Sequence, residues 1–256
     1  MTAIADLLPL LNSAIWHGFV VFIRVAAIAS FMPGFGEQSV PARIKLVVAL
    51  AFTLVVAPAV PLAVPVTEFG DIAYLIFTEI MAGVAVGIGL RLFILALQTA
   101  GSIAAQSTSL SQVLGGAAVD PLPAMGYILI VAGLALAVMA GLHIKAAQLI
   151  IISYDFLPMG QIINASQISE WGVGQVARAF ALAFTLAAPF IVLSVLYNFA
   201  LGAINRAMPQ LMVAFVGAPV ITLGGLALLF VSAPYMLSVW VARMDQYLAD
   251  PFGAIP

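Results

Sequence analysis

Cysteine is absent from all 256 residues, which excludes disulfides, thiolate metal sites and thiol nucleophiles together. Charge is nearly as scarce. Lysine and arginine number 8, aspartate and glutamate 10, and the charged share is 7%, against about 25% in a typical soluble domain. A chain so poor in charge cannot solvate its surface as a water-soluble globule, so a membrane or membrane-like setting is expected. With a net charge of −2 and no basic tract, nucleic-acid binding has no footing. The only histidines, His17 and His143, are single residues in apolar surroundings without metal-ligand spacing. Both read as hydrogen-bonded packing residues rather than ligands or bases.

The chemistry of nucleotide and hydrolytic sites is missing too. There is no GxxxxGK[ST] loop, and "GVAVGIGL" lacks the order of a dinucleotide loop and follows no predicted strand. The carboxylates stand singly, no Ser–His–Asp arrangement is suggested, and HExxH does not occur. The chain reads as a non-enzyme without a cofactor.

Apolar residues are plentiful, at 64% of the chain, and mean hydropathy is +1.22. Proline, glycine and the rare charges divide the chain into about six apolar helical segments, near 12–32, 42–60, 70–114, 124–153, 173–204 and 211–241. Each exceeds the roughly 20 residues that span a bilayer core. The N-terminal stretch lacks a positive leader and carries Arg24, so it does not read as a cleaved signal peptide. Arg43 and Lys45 in the first connection and Arg206 in the fifth place the odd-numbered connections on the cytoplasmic side by the positive-inside rule.

The third segment strains that picture. Ile72 to Ile103 contains no proline, and a helix of that length runs about 48 Å, against a hydrocarbon core about 30 Å thick. Glu79 and Arg91 lie inside it, about 18 Å apart along the axis and about 120° around it. They cannot pair on their own helix, so each needs a partner on another element or a watered space. Together with Arg24 and Lys145 they are the candidate buried charges. Gly83 and Gly87 stand at GxxxG spacing, and Gly133, Ala137 and Gly141 form a longer small-residue stripe. Both patterns let helix backbones approach closely.

Three polar stretches interrupt the apolar runs. In "FMPGFGEQSVPARIK", Pro33 and Gly34 end the first helix and Pro41 opens the next. In "QSTSLSQVLGGAAVDPLP", residues 106–123, small uncharged polar groups and two adjacent glycines make a pliable segment. It suits an ordinary exposed loop and a passage-filling one equally. In "NRAMPQ", Arg206 stands at a helix C-terminus, where the dipole favours a cation, and Pro209 stops the helix. Gly217 and Pro219 should then weaken or kink the last segment.

Asn205-Arg206, Pro209-Gln210, Gly217 and Pro219 resemble the signature of the FliR/SctT family of type III secretion export-gate proteins. "FGEQSVPARIKLVVALAFTLVVAPAVP", which holds Pro41 and Arg43, is similar to that family's N-terminal pattern and favours its flagellar branch over the virulence-type, SctT-like branch. The resemblance spans essentially the whole chain. It implies an all-α membrane protein of long hydrophobic helical hairpins, a single domain over 1–256 with a FliP-like half at about 1–172 joined to a FliQ-like half at 173–256. It further implies a multi-pass protein of the bacterial cytoplasmic membrane and flagellar basal body. There, with FliP and FliQ, it would form the channel for exported flagellar subunits, with FlhA and FlhB homologues nearby. The family's plug then corresponds to Gln106, Ser107, Ser109, Gln112, Leu114, Gly115, Gly116 and Asp120. Asn205, Arg206, Pro209 and Gln210 correspond to subunit packing or to the cytoplasmic entrance. A rival from another class is a secondary transporter with Glu79, Arg91 and Lys145 as coupling residues.

Overall fold

The computed structural model describes residues 2–63, 65, 66, 68–108, 124–162, 164–208 and 213–253. All regular structure among them is helical. The helices are α1 (Thr2–Phe31), α2 (Ala42–Val56, followed by one 3-10 turn at Ala57–Ala59), α3 (Phe69–Thr108), α4 (Ala124–Met139), α5 (Leu142–Phe156), α6 (Ala165–Ala207) and α7 (Val213–Ala249). The chain is thus an all-α hydrophobic protein. By length and composition α1, α2 with its 3-10 turn, α3, α6 and α7 are each able to cross a membrane. At 40 residues, α3 measures about 60 Å, longer still than its proline-free stretch implied.

Beyond the earlier start of α1 and the later end of α7, three features differ from the sequence expectation. The segment expected at 124–153 is two helices, broken between Met139 and Leu142. Gly141 makes the break, with φ +80, a left-handed conformation that glycine adopts without steric penalty. The stripe of Gly133, Ala137 and Gly141 therefore ends at Ala137; Gly133 and Ala137 are buried on α4, and Gly141 caps α5. Second, α6 begins eight residues before the expected 173. Asn164 starts it, its Oδ1 accepting from Ser166 N at 3.0 Å and Ser166 Oγ at 2.8 Å, an N-cap that satisfies otherwise orphaned donors. Third, α7 runs unbroken through Pro219 and Pro234. In apolar surroundings the remaining backbone groups have no better partners than one another, so the helix continues past a proline.

The chain divides into two compact units, each discontinuous in sequence: residues 1–92, 138–175 and 244–256 in one, 93–137 and 176–243 in the other. In the first, α3 lies against α1 through the GxxxG pair. A methyl group on Gly83 would stand 2.6 Å from Ala27 Cβ and 2.7 Å from Arg24 O, and one on Gly87 3.0 Å from Phe31 Cβ. Those two glycines permit the backbone approach that their spacing suggested. His17 joins α1 to the stretch after α2: its Nε2 donates to Ala57 O at 2.7 Å and its Nδ1 accepts from Ala63 N at 3.1 Å. That histidine is a satisfied packing residue, whereas His143 is exposed on α5. The C-terminal stretch docks on α6, where Trp171 Nε1 and Gln175 Nε2 both donate to Pro251 O, at 2.8 and 3.2 Å.

In the second unit the core gathers around Trp240, fully buried, whose Nε1 donates to Phe93 O at 2.8 Å. Gly133 leaves room for Leu97 and Trp240. The α6–α7 hairpin closes where Gly217 abuts Tyr197 and Leu201. Its outer faces carry exposed Phe180, Phe184, Leu196, Phe199, Phe230 and Tyr235. An apolar surface of that kind is stable in water only when covered by lipid or by other chains.

Candidate functional site

Arg24, buried on α1, meets Glu79, buried on α3, through two parallel hydrogen bonds, Nε to Oε2 at 2.8 Å and Nη2 to Oε1 at 3.0 Å. Its remaining nitrogen, Nη1, reaches Ser153 O on α5 at 3.3 Å, and its guanidinium carbon lies 3.8 Å from the centre of the Tyr154 ring. Glu79 Oε1 also accepts from Gly160 N at 3.3 Å. One ion pair thus links α1, α3, α5 and the turn after α5. Fork-to-fork geometry, with a further partner for Nη1 and a second donor to Oε1, helps a pair shielded from water offset its lost hydration.

The other two candidate charges are paired but not buried. Arg91 Nη1 donates to Glu37 Oε1 at 2.6 Å, with side chains 28% and 20% exposed. Lys145 Nζ donates to Asp245 Oδ1 at 2.7 Å, with side chains 33% and 38% exposed. Long cationic side chains reach outward along their apolar stems, and here each reaches a carboxylate. Glu79, Arg91 and Lys145 therefore each sit in a separate pair. Among the described residues no group of three or more histidines, cysteines, aspartates or glutamates is placed to hold a metal ion.

Of the plug candidates, Gln106 and Ser107 fall in the last turn of α3. Gln106 is exposed; Ser107 Oγ donates to Ile103 O at 2.7 Å. Ser109, Gln112, Leu114, Gly115, Gly116 and Asp120 lie outside the described residues, as do Pro209 and Gln210. Asn205 and Arg206 are exposed in the last turn of α6, Gly217 is buried on α7, and Pro219 is exposed two residues on. Pro41 precedes α2, its carbonyl accepting from Ile44 N at 2.9 Å, and Arg43 is exposed in the first turn.

Sequence reasoning missed Glu37 and Asp245 as partners, although Glu37 stood inside a stretch already singled out. Two close helix contacts, Gly101 with Gly126 and Gly225 with Thr108, were not foreseen either. A methyl group on Gly101 of α3 would run into Gly126 Cα on α4 and lie 2.7 Å from Gly126 N. One on Gly225 of α7 would run into Thr108 Cγ2 and lie 3.0 Å from Thr108 Cβ. Thr108 is buried, its Oγ1 donating to Ala104 O at 3.1 Å.

Residues 15–247 match the sequence model of the family described as "Bacterial export proteins, family 1". The chain belongs to that family. It is 35% identical over 233 residues to the flagellar biosynthetic protein FliR of Caulobacter vibrioides, covering 90% of this chain and 93% of that one. Identity to the FliR of Escherichia coli K12 is 30% over 253 residues, covering 93% of each chain. The secretion system apparatus protein SsaT of Salmonella typhimurium is 30% identical over 107 residues, only 40% of this chain. This member of the export family is a membrane-associated component of a type III export apparatus, not an enzyme.

Proposed function

We propose that the protein is a subunit of the flagellar export gate, forming with FliP and FliQ the channel through which unfolded flagellar subunits cross the cytoplasmic membrane, in the basal body and beside FlhA and FlhB homologues. The observation that carries this reading is similarity to flagellar relatives over nine-tenths of the chain, against two-fifths for the secretion system apparatus relative. The exposed apolar faces of α6 and α7 are consistent with burial against neighbouring subunits. In this reading residues 1–172 are the FliP-like half and 173–256 the FliQ-like half. The α6–α7 joint at Asn205, Arg206, Pro209 and Gln210 serves subunit packing or the cytoplasmic entrance.

Within the gate, the segment that follows α3 up to Asp120 is the plug, and Gln106 and Ser107, in the last turn of α3, form its stem. Small polar residues and paired glycines bind weakly to whatever surrounds them, so an arriving chain displaces them at little cost. The separate ion pairs of Glu79, Arg91 and Lys145 speak against the solute-transporter alternative, which needs coupling residues able to change partners. The test is complementation of cells lacking their own copy. Restored export of flagellar subunits supports the reading; solute uptake by the chain alone, with no effect on export, would refute it.

A further inference from the structure

We propose that Arg178 and Arg243 form a binding site for the headgroup of an anionic phospholipid, at the level where the α6–α7 hairpin leaves the hydrocarbon of the membrane. The inference goes beyond the export-gate reading and rests on the charge pattern of this hairpin.

Both arginines are exposed and belong to the second compact unit. The hydrogen bond from Trp171 of α6 to Pro251, just past the end of α7, sets the register of the two helices at that end. Arg178 lies seven residues inward from Trp171, and Arg243 eight inward from Pro251. Helix residues advance by about 1.5 Å each, so the two arginines stand at about the same level. A third exposed arginine, Arg206, occupies the last turn of α6, 28 residues from Arg178. That separation is about 42 Å along the helix, and a bilayer with its headgroups measures about 40–45 Å. Between these levels the hairpin carries no charge: residues 179–205 and 213–242 contain no aspartate, glutamate, lysine or arginine. Past Arg178 and Arg243 the chain turns polar again, with Ser166, Ser169 and Glu170 on α6 and Asp245 on α7. Arginines thus mark both edges of one apolar slab.

The chemistry at the Arg178–Arg243 edge selects phosphate. A guanidinium donates in a planar fork to phosphate oxygens and stays charged in the headgroup region. On Arg178's own face of α6, exposed Val192, Leu196 and Phe199 follow at helical spacing, 14, 18 and 21 residues on. They offer a surface for acyl chains beneath the cations. A soluble anion has no use for that surface, whereas an anionic amphiphile is complementary to both parts. Two cations at one level favour a lipid with net negative charge over a zwitterionic one.

The experiment uses the complex co-purified with its partner chains, reconstituted in phosphatidylcholine vesicles that contain a trace of phosphatidylglycerol with a photoreactive acyl chain. After illumination, label on the α6 and α7 peptides of this chain is measured. Unlabelled phosphatidylglycerol should compete about tenfold more effectively than added phosphatidylcholine. R178Q combined with R243Q should lower the label on α6 by about tenfold at unchanged partner composition. R178K with R243K should keep most of it, and R43Q, which removes an exposed cation from α2, should leave it unchanged. Equal competition by the two lipids in the wild type overturns the proposal without recourse to any variant. So does undiminished label in the glutamine variant. If that variant loses partner chains, the arginines serve a neighbouring subunit's carboxylates and the proposal falls. Each of these failures leaves the export-gate reading standing, because that reading rests on the family relation.

Discussion

Arg24 and Glu79, 55 residues apart in sequence, form a bidentate ion pair whose side chains are 1% and 0% exposed. Removing one partner leaves the other buried and uncompensated, at a penalty of about 3–5 kcal/mol. We expect E79Q and R24M each to lower the thermal midpoint of the detergent-solubilised protein sharply. Replacing both with apolar residues should destabilise less than either single change. Additive losses in that double-mutant cycle would contradict the pairing.

The Lys145–Asp245 pair gives a contrasting expectation. Both side chains are about a third exposed, and pairs of that kind contribute under about 1 kcal/mol. K145M should shift the same midpoint only slightly, and a drop as large as that of E79Q would show the site to be drier than its exposure indicates.

Two glycines should respond to alanine with opposite signs. At Gly83 the new methyl meets Arg24 O and Ala27 Cβ, and crowding of that kind destabilises by about 1–3 kcal/mol. At Gly172, inside α6, nothing lies within 4 Å, so alanine should stabilise by about 0.5–1 kcal/mol through helix propensity alone. Parallel melting curves of G83A and G172A check both signs at once.

Tyr154 presents its ring to Arg24 while its buried hydroxyl has no hydrogen-bond partner among the described residues. An unpaired buried hydroxyl is a burden of about 1–3 kcal/mol. Y154F keeps the ring and should leave stability unchanged or raise it. Y154L loses the cation–π contact and should lower stability by about 2 kcal/mol for a desolvated pair. A large loss in Y154F would mean that the hydroxyl has a partner after all.

Long apolar elements and lone charges were the legible part of this protein. The overlong α3 showed itself as a run without proline, and Glu79 stood out there because an isolated charge among apolar residues must find a partner. The identity of that partner was hidden, since nothing local connects Arg24 or Ser153 to Glu79; only packing three helices together does. The break at Gly141 was hidden for the opposite reason. Its glycine was counted in a small-residue stripe, and periodicity does not distinguish a helix glycine from one with positive φ. The early start of α6 was readable in principle, from Asn164 two residues before Ser166, but the polar residues that follow masked it. The close approaches at Gly101 and Gly225 could not be read at all, because they depend on which helix lies opposite.

The most direct measurement is native mass spectrometry of the complex that co-purifies with a tagged copy from detergent-solubilised membranes. The export-gate account predicts one copy of this chain bound to several FliP-like and FliQ-like chains. A monomer or homo-oligomer that is stable and carries a solute by itself would contradict it.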